Sequence, residues 1–279
     1  MTVPHFDAAR VAQLIRDVAA VEITPRFRAL ASHEVREKKP GDFVTIADES
    51  AERALIPALE AILPGSVAIG EEAIAADPTL LNHLEHADRP VWLIDPVDGT
   101  INFAHGRPLF AVMVALVQAG RPIAGWIHDP LTGALAMAEK GGGAWDGATR
   151  LHVAAPEAPE RMCGQLMSRP FSSAGQAALR ARGIVFHRDP EGLRCAGQEY
   201  FRLVYGQWHF NAYSRLRPWD HSAGLLIHAE AGGFSGYLAD RTPYHVARGE
   251  DLLLAAPSPE SWDALRDYLR HYFKEGAKL

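Results

Sequence analysis

Cysteine is nearly absent from this chain, which contains only Cys163 and Cys195 among its 279 residues. Two cysteines cannot form a disulfide framework or a cysteine-rich zinc site, so we expect both to be small, buried residues in a reducing environment. The longest strongly apolar stretch, residues 109–117, is too short to span a bilayer. Charged residues interrupt the N-terminal pattern, which therefore lacks the layout of a signal peptide. These absences predict a cytoplasmic protein with no membrane partner.

The chain also lacks a large charge excess and the motifs of several enzyme classes. Its formal net charge is -6 and no long basic run offsets it, so no nucleic-acid partner is expected. The glycine-rich segment 141–147 fits neither GxGxxG nor the Walker pattern, and no GxSxG sequence supports a serine hydrolase. With 48% hydrophobic residues, the composition is that of a globular protein with a sizeable core.

Hydrophobic periodicity predicts helices in the N-terminal part of the chain. Residues 7–31 carry apolar side chains at helical spacing, and residues 37–41 are a loop by composition. A second helix is predicted over Glu49–Leu63, because Asp48 stands where an N-cap residue belongs.

The predicted secondary-structure pattern changes near the middle of the chain. Three β-rich segments between residues 109 and 139 are joined by turn sequences, which favours antiparallel neighbours. After Pro156 strands and helices alternate, a pattern typical of α/β structure. We therefore predict an α+β half at residues 1–155 and an α/β half at residues 156–279.

Acidic residues recur where predicted strands end or helices begin, namely at Asp48, Glu71, Asp95, Asp98 and Asp220. Strand ends in α/β architectures share a rim at which ligands bind. Carboxylates placed closely repel one another unless a cation lies between them, and such hard oxygen ligands suit Mg²⁺, Mn²⁺ or Ca²⁺. Several acids at one rim could hold two cations about 3.5–4 Å apart, the geometry that supports in-line attack on phosphorus.

Each acid also has a structural explanation when considered alone. Residues 95–99 could form a plain turn, and Asp48, Thr100 and Asp220 could be helix caps. We expect Asp42 and Glu72 to be solvated. Independent capping gives no reason for several acidic segments in one chain, so their joint occurrence favours a metal site.

Four segments resemble the signatures of the inositol monophosphatase family, the Mg²⁺-dependent, Li⁺-sensitive phosphatases related to fructose-1,6-bisphosphatase. These segments, in the family's order, are Asp42–Asp48, Gly70–Glu72, Asp95–Phe103 and Trp219–Gly224. The resemblance implies an α/β fold, specifically a layered α/β/α/β/α sugar-phosphatase sandwich. It also implies a phosphoric monoester hydrolase that forms a homodimer, in which the α/β half contributes Asp220 and the substrate pocket.

The resemblance also implies roles for individual residues. The first metal would be held by Glu71, Asp95 and the carbonyl of Val97, the second by Asp95, Asp98 and Asp220, with a looser third ion near Glu71. Asp48 and Thr100 would be the catalytic residues that orient the attacking water. Substrate contacts would come from Asp98, Gly99, Thr100, Arg215 and Asp220. The cofactor would be two or three Mg²⁺ ions per subunit, with Mn²⁺ as a substitute and Li⁺ as an inhibitor.

The substrate is expected to be a small phosphate ester, either inositol phosphate or a related sugar or metabolite phosphate. Relatives that use inositol carry a glutamate before the Trp-Asp pair, whereas this chain has Arg215 and Arg217 there. Because arginine binds anions bidentately, a more anionic substrate is predicted. The alternatives are a fructose-1,6-bisphosphatase-like or histidinol-phosphate phosphatase activity. An alternative of another class is a non-catalytic accessory factor in transcription or ribosome maturation.

Overall fold

The first half of the chain forms a hairpin followed by a seven-stranded sheet. The computed structural model describes residues 4–85, 89–249 and 251–275. The hairpin consists of β1 (Val35–Lys39) and β2 (Asp42–Thr45). The sheet consists, in both chain order and spatial order, of β3 (Val67–Gly70), β4 (Val91–Asp98), β5 (Ala111–Gln118), β6 (Arg121–His128), β7 (Leu135–Glu139), β8 (Gly143–Asp146) and β9 (Thr149–Arg150). β3 and β4 are parallel, and the other neighbouring pairs are antiparallel.

The second half forms a five-stranded mixed sheet. Its strands are β10 (Gly164–Leu166), β11 (Val185–Phe186), β12 (Phe210–Tyr213), β13 (Phe234–Tyr237) and β14 (Leu253–Ala256), in the spatial order β11-β10-β12-β14-β13. β10 is parallel to β11 and β12, whereas β14 is antiparallel to β12 and β13.

Helices cover both sheets and separate them. They are α1 (Ala8–Val18), α2 (Ile46–Ile62), α3 (Glu71–Ala76), α4 (Thr100–Ala104), α5 (Ser173–Arg180), α6 (Ala196–Val204), α7 (Pro218–Glu230) and α8 (Pro259–Arg270). α1 and α2 share one apolar core with a face of the seven-stranded sheet. α6 and α7 lie between the two sheets, and α5 and α8 cover the far face of the five-stranded sheet. The layers are therefore α/β/α/β/α, and the predicted fold class is confirmed.

The packing explains why the central strands are apolar throughout rather than alternating. All eight residues of β4 are buried, because helices cover both faces of the sheet. α7 approaches that sheet closely, since a Cβ on Gly125 would lie 2.8 Å from the Cα of Ala223. α6 approaches α7 equally closely, with Tyr200 packed where a side chain on Gly224 would stand. Small residues at these crossings let α7 lie between the sheets.

Several local predictions need correction. Residues 37–41 are no simple loop, because Val35–Lys39 pairs with Asp42–Thr45 as a hairpin. The helix predicted from Glu49 begins at Ile46, and its N-cap is Thr45 rather than Asp48. Strand β4 continues to Asp98, so both of its acids belong to the strand itself.

Candidate active site

The pairing of two strands brings the first two acids together. β3 and β4 run parallel with Gly70 opposite Ile94, so the next residues, Glu71 and Asp95, lie side by side where β3 ends. Asp220 comes from the first turn of α7, which packs across the same sheet. Carboxylate oxygens of these three acids lie within 4.8 Å of one another. Three segments distant in sequence thus supply one acidic cluster.

Asp98 lies in the same cleft, but one of its oxygens is engaged. Its Oδ2 accepts hydrogen bonds from the Cys195 thiol at 3.0 Å and from the Gly197 backbone N–H at 2.6 Å. The register of β4 against β5 shifts between Asp95 and Asp98, a local irregularity that re-aims side chains. The Cys195 thiol therefore donates a hydrogen bond to Asp98, a predicted metal ligand. No motif around Cys195 in the sequence indicates this contact.

A buried capping box fixes Asp48 beside Thr100. Asp48 Oδ2 accepts hydrogen bonds from the Thr45 backbone N–H at 2.9 Å and from the Thr45 hydroxyl at 2.6 Å. Its other oxygen, Oδ1, lies 3.1 Å from Thr100 Oγ1, which is also 3.0 Å from the Val97 carbonyl oxygen. Asp48 is thus the third residue of its helix, with one carboxylate oxygen directed toward Thr100. The motif Thr-x-x-Asp at 45–48 is the signal that could have identified this box.

A lysine from the hairpin faces the acids. Lys38 Nζ lies 2.8 Å from Glu72 Oε1 and 3.7 Å from both Glu71 Oε1 and Asp42 Oδ1. Glu72 is therefore an ion-paired residue and not the solvated one that the sequence suggested. Buried Glu52 accepts hydrogen bonds from the first backbone N–H groups of α3, which anchors the helix that carries Glu71.

Burial and mutual repulsion raise the pKa values of the clustered carboxyls. Desolvation is the largest cause for Asp95 and Asp220, whose pKa values lie well above the ordinary range, and the charge of Glu71 adds to it. Desolvation also raises the pKa of Asp98 to about 6 and that of Asp48 to about 7. Carboxyls that resist ionisation when grouped are the expected environment for a cation, since positive charge between them would favour the ionised form.

The donor set therefore fits hard divalent ions. Three carboxylates with oxygens within 4.8 Å match the oxygen preference of Mg²⁺, and no histidine or cysteine of the described chain joins that group. The cleft is also lined by Asp98, Gly99 and Thr100. Gly99 has φ +84°, the left-handed conformation that ends β4 and starts α4.

Of the two candidate arginines, Arg217 reaches the acidic cleft. Arg217 lines it and lies 3.3 Å from Glu71 Oε1. Arg215, the predicted substrate contact, is exposed and lines a neighbouring cavity instead. Only the loop conformation determines which of these two arginines reaches the cleft, and no local sequence pattern indicates that conformation.

Comparisons with known proteins agree with this arrangement. The family model described as "Inositol monophosphatase family" matches residues 7–267. The chain is 34% identical over 217 residues to an inositol-1-monophosphatase of Mesorhizobium japonicum, covering 75% of this chain and 77% of that protein. It is 30% identical to a protein of Xylella fastidiosa named Nus factor SuhB, covering 74% of this chain and 72% of that protein. Among solved structures, an IMPase of Thermotoga maritima superposes with a TM-score of 0.75 at 24% identity, covering 93% of this chain and 96% of that one.

The chain belongs to the inositol monophosphatase family. Its predicted enzyme class is confirmed at this level, since the family is one of phosphoric monoester hydrolases that depend on divalent metals. Within the described part of the chain, no helix is long and apolar enough to cross a membrane.

Proposed function

We propose that this protein hydrolyses the phosphate monoester of a small sugar or related metabolite with Mg²⁺ as cofactor. One observation carries the proposal: the acidic cluster and the Asp48–Thr100 pair line or border one cleft, although they come from five separate elements. A purely structural role would not require a polar pair of this kind beside crowded carboxyls. The cytoplasmic location and the homodimer remain predictions.

The acids of the cleft would hold the ions. Glu71, Asp95 and Asp220 share the tightest group, and the free oxygen of Asp98 completes the set. When bound, divalent ions supply positive charge that offsets the phosphate and lowers the pKa of a water nucleophile. Lys38 Nζ lies 3.7 Å from Glu71 Oε1, so its positive charge offsets part of the negative charge of the cleft.

Asp48 and Thr100 would position the attacking water. Thr45 fixes one oxygen of Asp48, so the other is available to hold the hydroxyl hydrogen of Thr100. The Thr100 oxygen can then accept a hydrogen bond from the water molecule. This contact would orient a lone pair of the water oxygen toward phosphorus. Burial raises the pKa of Asp48 to about 7, and the positive charge of nearby ions would favour its ionised form, which accepts the Thr100 hydrogen.

The phosphate would rest where β4 turns into α4. The first backbone N–H groups of a helix have no partners within that helix, so those of Gly99 and Thr100 are suited to bind phosphate oxygens. Such contacts would hold the ester in a fixed position beside the acids. Positioning of this kind accounts for much of the rate enhancement in phosphoryl transfer.

Phosphate release from a panel of phosphomonoesters, with Mg²⁺ and with EDTA, tests the proposal. We expect Mg²⁺-dependent release that Asp95→Asn abolishes and that Thr100→Ala lowers at least about a hundredfold. Asp267→Asn, which changes an exposed aspartate on α8, is the matched control and should retain full activity. Undiminished release by both cleft variants would refute the assigned roles.

The same panel addresses the alternatives. A preference for inositol 1-phosphate, fructose 1,6-bisphosphate or histidinol phosphate would place the chain in the corresponding branch of the family. The relative named Nus factor SuhB makes an accessory, non-catalytic role a second candidate. That role gains support only if no ester is hydrolysed while the folded protein retains a protein partner.

A further inference from the structure

A second cavity adjoins the acidic cleft. It has a volume of about 500 Å³, against about 140 Å³ for the cleft. Arg217 lines both spaces, and Trp219 of the cavity directly precedes Asp220 of the cleft. Pockets for small organic ligands usually measure about 300–1,000 Å³, so the cleft alone has room for ions and phosphate but not for most organic groups. The adjoining cavity is therefore the natural place for the rest of an ester held in the cleft.

The chemistry of this cavity differs from that of the cleft. Its described lining carries two guanidinium groups, Arg215 and Arg217, and no carboxylate. Apolar side chains such as Leu81, Leu216 and Trp219 form much of the remaining wall. In a chain of formal net charge -6, two arginines and no carboxylate among the described lining residues are a local exception. This lining suits a ligand with an apolar segment and an anionic end.

The two arginines are held differently. Arg217 lies 3.3 Å from Glu71 and its guanidinium carbon is 5.9 Å from the centre of the Trp219 ring, so its charge is already engaged. Arg215 is exposed and takes part in none of the ion pairs among the described residues. Its charge is thus available to a ligand.

The backbone holds Arg215 in an unusual conformation. Its φ is +60°, the left-handed region that side chains other than glycine and asparagine seldom adopt. Two hydrogen bonds fix the loop directly after Arg215, from the Leu216 N–H to the Gly249 carbonyl and from the Arg217 N–H to the Arg215 carbonyl. An arginine kept at such a position projects its side chain in a direction set by the fold.

We propose that this cavity binds the non-reacting part of the substrate and that Arg215 recognises a second anionic group on it. The inference rests on the proposed function and deepens it. The preferred substrate class is then a phosphomonoester whose alcohol part carries a carboxylate or a second phosphate next to an apolar or ring segment. A neutral polyol phosphate lacks the group that Arg215 would bind.

Aryl phosphates with and without a carboxylate test this inference. Phenyl phosphate and 4-carboxyphenyl phosphate both fit an apolar wall, and only the second carries the additional anion. We expect wild-type kcat/KM to favour 4-carboxyphenyl phosphate by about tenfold, mostly through KM, because a hydrogen-bonded charge pair has about this effect. Arg215→Asn, which tolerates the left-handed backbone, should remove most of that preference, and Arg215→Lys should keep part of it.

Arg241→Asn is the matched control. Arg241 is also an arginine with positive φ, +62°, but it pairs with Asp263 away from both spaces. Its substitution should leave the preference unchanged. An equal kcat/KM for the two esters in the wild type, or an unaltered preference in Arg215→Asn, would overturn the inference while Mg²⁺-dependent hydrolysis still stood. Absence of hydrolysis of every ester would instead overturn the proposed function, and this inference with it.

Discussion

Replacement of Asp95 by asparagine should stabilise the metal-free protein and abolish its stabilisation by Mg²⁺. Asp95 is 2% exposed, and its carboxylate lies within 4.8 Å of those of Glu71 and Asp220. Asparagine has the same shape, and its Oδ1 can still accept the hydrogen bond that the Val97 N–H donates at 3.1 Å. The substitution therefore removes charge without creating a cavity or an unpaired backbone donor.

The magnitude follows from the spacing of the oxygens. Two full charges 4.8 Å apart repel by about 3.5 kcal/mol at an effective dielectric constant of about 20. Partial protonation reduces this repulsion, as does the positive charge of Lys38 and Arg217 near Glu71. We therefore expect Asp95→Asn to raise the metal-free unfolding free energy by about 2 kcal/mol at alkaline pH. Wild-type protein should instead gain about 2.7 kcal/mol from Mg²⁺ at a hundred times its Kd, a gain that the variant loses.

The pH dependence has a defined sign. Burial raises the folded-state pKa values of Asp95 and Asp220, and it raises those of Asp98 and Asp48 to about 6 and about 7. The folded state therefore holds these protons more tightly than the unfolded state does. The contribution of these carboxyls to the metal-free unfolding free energy is fully present below their unfolded-state pKa, near pH 4. This contribution declines as the pH rises toward 7. Asp95→Asn should make this decline shallower.

Urea unfolding in EDTA and in millimolar Mg²⁺, at acid and alkaline pH, measures all of these quantities. The order of stability of wild type and variant should reverse between EDTA and Mg²⁺. Asp267→Asn on the surface of α8 should follow the wild type in both conditions. A variant less stable than wild type in EDTA, together with a wild type indifferent to Mg²⁺, would refute the electrostatic reasoning.

Substitutions at three further positions probe the groups that support the site. Cys195→Val removes the thiol that donates a hydrogen bond to Asp98, and we expect calorimetric titration to show a Mg²⁺ affinity about tenfold weaker. Cys195→Ser keeps a donor and should largely preserve the affinity. Equal affinities in both variants would contradict a role of this hydrogen bond in metal binding. Thr45→Val deletes the hydroxyl that holds Asp48, the carboxylate proposed to orient the water. We expect kcat to fall at least about tenfold with little change in KM, and an unchanged kcat would contradict the role of Asp48. Gly224→Ala places a Cβ 2.0 Å from the Tyr200 ring, so thermal unfolding should show a loss of about 1–3 kcal/mol, and a stable variant would mean that α6 and α7 can separate.

Much of the fold was predictable because its elements carry strong local patterns. The apolar runs that become β4, β5 and β6 are long, and turn sequences separate the last two from their neighbours. Less was predictable where the local pattern is weak. The short helix α3 is not predicted from the sequence, because its six residues carry too little periodicity to detect. Residues 37–41 are predicted as a loop because strand β1, which contains the first three of them, is mostly charged.

The candidate site shows the same division. The predicted metal ligands Glu71, Asp95 and Asp220 come together, and their oxygen chemistry was evident from residue type alone. Their supporting residues were missed, because Cys195 is 97 residues from Asp98 and local patterns cannot pair such positions.

The sequence by itself determined the family, the fold class and the identity of the acidic residues, because hydrophobic periodicity and short motifs can be recognised without knowing which segments meet. The tertiary structure alone decided which groups meet. The parallel register of β3 and β4 sets Glu71 beside Asp95, and the packing of α7 between the sheets adds Asp220. A loop held by backbone hydrogen bonds leaves Arg217 in the cleft and Arg215 in the next cavity, 146 and 144 residues after Glu71 in the chain. Contacts across such separations depend on how the layers pack, and that information is spread over the whole core.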